Sequence, residues 1–476
     1  MTELGDEARR SSWVGDIPGL ARAVATWEHE LAGARSQVND RTRRMARPGF
    51  ISPGRVARQS VALTAAQLGW MVRRLPGDLA AGRPVSQPGE WLQESASYLL
   101  RDQLANLGPA AAEMARILVD SDGIVPGFVV SELQRRPLPD ITLPTDMAER
   151  IAVQALPGRL GHVGPVVSVA PVSQLHEAEL LDGTPVLLRV RQPGVDRAVR
   201  QDARIAASVL TPFEQLVPIF RAVRPLGLVE LISRQLAEAS DLRNEALNAI
   251  ELGLVVERLG LDGLVVHRPL PGLVTERAAI FEAAGGFPLR TIAATPEQPV
   301  DTRPLASLTI ESALAAGVFA PDLRLEQIVA RPDGRLGVIG CGAVGRLDLT
   351  TRRALLDLLP ALLTGDTAAQ VAALRDLGIA PEGAAGDTLV SELAAIQPAN
   401  PLGLLSGEGG GIGGLGRDAL AVLLRYGVTP PLELVQLSRA VLSVRAIFRR
   451  TNAPGGLLAA LFPLLGRTSE LRAQLD

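Results

Sequence analysis

The sequence predicts an α+β chain in which a small antiparallel sheet is followed by a mostly α-helical body and preceded by a helical N-terminal extension. Three observations predict it. Val166–Ala170, Glu177–Leu181 and Pro185–Val190 are short Val- and Leu-rich runs, two of them joined by the tight-turn pair Asp182-Gly183. Helical periodicity resumes at Arg197–Leu210 and at Leu228–Leu259 and dominates from about residue 300 onward. Before the sheet, Gly19–Arg43, residues 55–76 and residues 90–135 read as helices, the last set broken at Gly108-Pro109 and between Gly123 and Pro126.

Within the helical second half, 328–330 and 336–339 form a strand pair around Asp333-Gly334, and short strands fall near Leu264–His267 and Arg277–Phe281. The helix over 55–76 carries Val56, Leu63, Leu68 and Met71 on one side and Arg55, Arg58, Arg73 and Arg74 at its ends. Such a helix either lies on anionic lipid or packs on the main body. The loop 406–416, SGEGGGIGGLG, contains a GxGxxG string. No convincing strand precedes it, so it reads as a mobile loop rather than a dinucleotide site.

Composition narrows the function. A 476-residue chain that is 47% hydrophobic can bury two or three packed units, with Leu, Val and Ala filling the cores because aromatics are only 3%. The mean hydropathy is +0.20. A net charge of -3 and a pI near 6.0 argue against a nucleic-acid partner. All 48 residues of the Lys+Arg count are arginine, so no lysine-dependent chemistry, Schiff base or phosphate-binding lysine exists here. The single Cys341 excludes an internal disulfide, and the four histidines lack metal-ligand spacing, so no metal site is expected. No apolar run has the ~20 residues of a bilayer span, and the N-terminus lacks a signal-peptide pattern. The expected location is cytoplasmic, with peripheral membrane contact left open.

A series of motifs then points to a family. Gly108-Pro109 through Glu113, Ala115 and Arg116 looks like a GPxxxKxGQ signature, and Pro126 with Glu132-Leu133 like the PxxxxxEL pattern after it. Ala170-Pro171-Val172-Ser173-Gln174-Leu175-His176 is similar to an ASIGQVH loop, and Val186 through Arg189 to Pro193-Gly194 to VAVKVQRPG. Asp241, Glu245, Ala246 and Asn248 fit DYxxEAxN. Glu282 with Gly285 fits, loosely spaced, a hinge ExxxG, and Tyr426 to Pro430 fits the C-terminal helices. Over about residues 95–465 the chain resembles the UbiB/AarF family of atypical kinase-like proteins.

The resemblance implies a protein-kinase-like two-lobe fold. Its parts are a helical extension at 1–90, the family-type helical extension at 91–160, an N-lobe at 161–290 and a helical C-lobe at 291–476. It implies ATP or ADP with magnesium as cofactors, with Ala170, Ser173, Arg189, Glu245, Glu282 and Gln327 as nucleotide-site positions and Asp322 as the catalytic remnant. Yet the strand lysine has become Arg189, the lysine of KxGQ has become Glu113, and the positions facing it are Ala239 and Asp241. The HADPHPGN segment has become Ala320-Pro321-Asp322 through Glu326-Gln327, and Gly340-Cys341-Gly342 stands where Asp-Phe-Gly belongs. Phosphoryl transfer relies on positioning and on metal neutralisation of charge, and these substitutions remove the groups that supply both. The expectation is a degenerate, pseudokinase-like accessory protein acting beside a partner enzyme or intact relative, or on an apolar isoprenoid or lipid molecule. A divergent ATPase or kinase, with Glu326, Gln327 or Asp333 as replacement metal ligands, is the alternative. A third reading reuses the fold for another reaction with Asp322, Glu326 and His176 as acids and bases.

Overall fold

The computed structural model describes residues 4–45, 101, 104, 109–120, 127–138, 142–204, 225–293, 300–380, 383–396, 418–419, 421–423, 425–428, 430–453 and 456–475. The expected helix over 55–76 and the Gly-rich loop 406–416 lie outside the described residues. The chain divides into two compact units. One comprises Met1–Gln37, Thr142–Pro193 and Glu238–Asp476, and the other Val38–Ile141 and Gly194–Ala237.

The larger unit contains a five-stranded antiparallel sheet in the order β1-β2-β3-β6-β5. Its strands are β1 (Leu160–Val169), β2 (Ser173–Leu180), β3 (Pro185–Arg191), β5 (Pro269–Val274) and β6 (Ala278–Glu282). The β2–β3 turn is the expected Asp182-Gly183. Gly183 takes φ +82°, which only glycine adopts freely, and the Thr184 amide donates to Asp182 Oδ1 at 3.0 Å. The first described helices are the short α1 (Leu4–Arg10) and α2 (Ser12–Gly15) and the long α3 (Leu20–Met45), which matches the helix expected over Gly19–Arg43. In the smaller unit, α4 (Pro109–Asp120) and α5 (Gly127–Arg135) share a core of Leu104, Ala115, Val129 and Leu133. The next helix, α6 (Thr145–Ala155), lays Ala148, Ile151 and Ala152 against Val186, Leu188 and Ile280 of the sheet.

The periodic run Leu228–Leu259 is two helices rather than one: α7 (Pro225–Ala239) and α8 (Leu242–Leu259). Asp241 breaks it by taking an extended backbone and capping α8, its carboxylate accepting from the Arg243 amide at 3.1 Å. The apolar periodicity continues through the break, so the cap was hidden in the pattern. Gly260, at φ +61°, ends α8.

A second sheet has the order β4-β10-β9-β7, from Leu264–Val266, Leu336–Val338, Ile328–Ala330 and Phe287–Pro288. A two-stranded ladder pairs β8 (Val318–Phe319) with β11 (Gly345–Arg346). The expected pair at 328–330 and 336–339 is β9 and β10, whereas the two-residue strands carry no readable alternation. Further helices are α9 (Leu289–Ala293), α10 (Pro304–Ala306), α11 (Ser312–Ala315), α12 (Leu349–Thr364), α13 (Thr367–Asp376), α14 (Ala384–Ala395), α15 (Leu432–Arg450), α16 (Gly456–Leu465) and α17 (Thr468–Ala473). Among the described residues no helix is long and apolar enough to cross a membrane.

The N-terminal helices pack on α8. Val14, Leu20, Val24, Trp27 and Leu31 form one core with Ala246, Leu247, Ile250 and Leu254. The contact is so close at Gly253 that a Cβ there would lie 1.9 Å from Trp13 Cη2. Gly253→Ala is therefore expected to destabilise the protein by about 1–3 kcal/mol through overpacking, despite the better helix propensity of alanine. In a Trp13→Ala background the same substitution should be neutral or slightly stabilising, as read from denaturant midpoints. Equal effects in both backgrounds would show that Trp13 does not set the requirement for glycine.

Candidate functional site

The site is built where the middle of β3 faces α8. Arg189 sits opposite Leu175 of β2 and Ala279 of β6, which turns its side chain inward from a central strand. Its Nη2 lies 2.9 Å from Glu245 Oε1 of α8, with the two side chains only 3% and 5% exposed. The same Nη2 donates to the Ile339 carbonyl at 3.1 Å. The guanidinium thus joins sheet, helix and the segment just before Gly340. The ion pair that the sequence suggested is present.

Gly340 faces this pair. A Cβ placed on it would lie 2.9 Å from Gln327 Cγ and 3.2 Å from Arg189 Nη2. Where the family resemblance expects a metal-binding aspartate, the neighbouring space is taken by Gln327 and Arg189. The backbone is held by the Ile339 amide donating to the Gln327 carbonyl at 2.9 Å, and by Asn248 Nδ2 donating to the Cys341 carbonyl at 3.0 Å. Cys341 is itself buried, and burial followed by the Glu245 charge pushes its thiol far above the usual range. It is a packing residue rather than a nucleophile.

Asp322 is half-buried and held at both oxygens. Arg324 Nη2 bonds Oδ2, and Arg439 Nη2 from α15 lies 3.1 Å from Oδ1. A carboxylate clamped by two guanidinium groups is a poor proton acceptor, because taking a proton forfeits both ion pairs. Asp333, a proposed replacement ligand, is exposed on its turn and engaged by Arg335 at 2.8 Å and Arg331 at 3.2 Å. The Arg335 hydrogen bond holds its carboxyl far below the usual carboxylate range. Glu326 and Gln327 lie on the 3-10 turn Leu325–Gln327. Among the described residues no group of three or more His, Cys, Asp or Glu side chains is placed to hold a metal ion. The residues around Gly340 therefore do not fit magnesium: that position has no side chain, and Glu245, Asp322 and Asp333 are each paired with arginine.

The remaining sequence-selected residues are also engaged. Ala170 and Ser173 close the three-residue β1–β2 turn, the Ala170 amide donating to the Ser173 carbonyl at 2.8 Å. His176 is fully buried. Its Nδ1 pairs with the Gly164 carbonyl at 3.1 Å and its Nε2 with Gln174 Nε2 at 3.2 Å, and burial lowers its pKa. Gln174 Nε2 also donates to Leu143 O at 3.2 Å, tying the approach to α6 to the sheet. A structural role accounts for both residues. Glu282, at the end of β6, takes a two-pronged pair from Arg268 at 2.9 and 2.7 Å.

Sequence reasoning missed Arg324 and Arg439 as the clamp on Asp322, Arg268 as the partner of Glu282, and His267. The last is 3% exposed, and burial followed by the Arg331 charge lowers its pKa to about 4. Between pH 6.5 and 4 the unfolded chain binds a proton that the folded chain refuses. The stability held above pH 6.5 is therefore lost as pH falls through this window, by up to about 3 kcal/mol. Denaturant midpoints measured from pH 7 to 4 should show a smaller decline for His267→Gln than for the parent. Parallel curves would mean that His267 titrates normally.

Several known proteins are similar to this chain. Residues 165–374 match the ABC1 atypical kinase-like domain. An uncharacterized protein of Mycobacterium tuberculosis is 28% identical over 467 residues, spanning 93% of this chain and 91% of its own. A probable protein kinase UbiB of Vibrio atlanticus is 25% identical over 394 residues, 77% of this chain and 70% of its own. A solved structure titled as an Rv3197–erythromycin complex, from Mycobacterium tuberculosis, is similar at 19% identity and TM-score 0.48, over 77% of this chain and 94% of its own. With its kinase-like α+β fold, and with Glu245, Gln327 and Gly340 gathered around Arg189, this chain carries an ABC1 atypical kinase-like domain over residues 165–374 and is similar to proteins of the UbiB/AarF family.

Proposed function

We propose that this protein is a pseudokinase scaffold or accessory protein of the UbiB/AarF family, acting by binding rather than by phosphotransfer. What it binds, on this reading, is a partner enzyme, an intact family member, or an apolar molecule of isoprenoid or lipid type. It works in the cytoplasm, with peripheral contact to a membrane. Residues 161–290 and 291–476 serve as the two lobes, with 1–90 and 91–160 as extensions.

The observation that carries this reading is the filling of the space beside Gly340 by Gln327 and Arg189. Binding of metal-nucleotide there needs an acidic ligand and room for it, and transfer needs a free base. Asp322 instead bridges two arginines. The preserved buried ion pair is compatible with a binding scaffold, because it ties β3 to α8 within 161–290 without any chemistry. The divergent-ATPase reading draws on one observation, the retention of Glu245 opposite a cation on β3.

Calorimetric titration with ATP and ADP, each with and without magnesium, separates the two. The expected result is no magnesium-dependent binding, together with an apolar molecule in solvent extracts of the purified protein identified by mass spectrometry. Magnesium-dependent ATP binding with turnover abolished by Asp322→Asn would establish the ATPase reading instead.

A further inference from the structure

Glu257, near the end of α8, receives three donors from consecutive residues of the N-terminal segment. Ser11 Oγ and Ser12 Oγ donate to its two oxygens, the latter at 2.6 Å, and the Trp13 amide donates at 3.1 Å. These bonds hold its carboxyl below the usual range. The Trp13 ring lies against Gly253, and Arg268 lies 5.7 Å from the ring centroid while its Nη1 donates to the Trp13 carbonyl at 2.6 Å. Arg268 is in turn paired with Glu282 at the end of β6. One exposed carboxylate and one arginine thus latch the N-terminal segment to both α8 and the end of the sheet. Trp13 and Glu257 also wall a cavity of about 870 Å³ that runs past His267 and Arg331.

Ser12 is exposed although its hydroxyl is engaged, and it follows two exposed arginines in Arg9-Arg10-Ser11-Ser12. Charge patterns of this kind are how protein kinases choose substrates. We propose that Ser12 is a phosphorylation site for a basic-directed serine/threonine protein kinase, and that phosphorylation unlatches the N-terminal segment from α8. In the step, Ser12 Oγ attacks the γ-phosphorus of a nucleoside triphosphate. The new O–P bond forms as the bond to the β–γ bridging oxygen breaks, the hydroxyl proton passes to the kinase, and nucleoside diphosphate leaves. The product carries about −1.5 to −2 charges where a donor stood. The bond to Glu257 is lost and repulsion replaces it. Arg268 is already committed to Glu282, the Trp13 carbonyl and Asp16. With the latch open, Trp13 leaves Gly253 and the cavity loses that wall. The inference is independent of whether the chain binds nucleotide.

The test treats the full chain with a purified protein kinase that selects Arg-Arg-x-Ser, with ATP and magnesium, and maps the product by mass spectrometry. Hydrogen exchange then follows residues 4–31 and 242–259. Phosphate is expected at Ser12, with exchange in 4–31 faster by about tenfold or more, since bonds to a charged acceptor are lost. Ser12→Ala should take no phosphate there and keep its protection, and Ser12→Glu should reproduce part of the release. Phosphorylated Glu257→Gln should be released less relative to its own unphosphorylated form, because one of the repelling charges is gone. Absence of phosphate at Ser12, or phosphate at Ser12 with unchanged exchange, overturns the proposal.

Discussion

Glu245→Ala is expected to destabilise the protein by about 3–5 kcal/mol, because it leaves the Arg189 guanidinium buried without its counter-charge. Both side chains are removed from water, and after the substitution Nη2 keeps only the Ile339 carbonyl. A carbonyl dipole does not offset the desolvation of a full charge. Arg189→Ala should cost a similar amount for the mirror reason, with an added loss of packing from the aliphatic stem. The double replacement Arg189→Leu, Glu245→Leu is expected to cost far less than the sum, since it removes both charges and returns apolar volume to the site. Chemical denaturation of the two single variants and the double variant closes the cycle. Additive losses would mean that the residues do not act as a pair, and the role assigned to them in tying β3 to α8 would fail.

The same pair shows what the sequence could and could not convey. Arg189 and Glu245 were legible because each lies in a contiguous motif, and much of β1, β2 and β3 was legible because short Val- and Leu-rich runs are punctuated by Asp182-Gly183. The break at Asp241 was not, because a helix cap is a local hydrogen bond inside an unbroken apolar period. The clamp on Asp322 was invisible for a different reason. Arg324 is two residues away, but Arg439 arrives from α15, and no periodicity predicts which of many arginines will reach a given carboxylate. The docking of the N-terminal segment had one faint trace, a glycine in the interior of an otherwise strong helix. Gly253 gives up about 1 kcal/mol of helix propensity relative to alanine, and the contact with Trp13 is the reason.

Restoring the missing aspartate alone is expected to fail. Gly340→Asp should give no magnesium-dependent nucleotide binding and should lower stability, since even its Cβ would press on Gln327 Cγ at 2.9 Å and Arg189 Nη2 at 3.2 Å. The new carboxylate would also meet a guanidinium directly and be drawn into an ion pair instead of facing a metal. Relief of both obstacles requires the neighbours to change together. Arg189→Lys shortens the cation and removes the planar fork, while Gln327→Asn withdraws one methylene and keeps an amide oxygen available to a cation. The triple variant Arg189→Lys, Gln327→Asn, Gly340→Asp is therefore the one expected to gain magnesium-dependent ATP binding in a calorimetric titration. It should still turn over little ATP, because Asp322 remains held by Arg324 and Arg439. Relaxing the clamp with Arg439→Gln in that background should then raise turnover by freeing one carboxylate oxygen. Gain of binding by Gly340→Asp alone would show that Gln327 and Arg189 move aside readily. The loss of the metal ligand would then be a single reversible step rather than a repacking of the whole site.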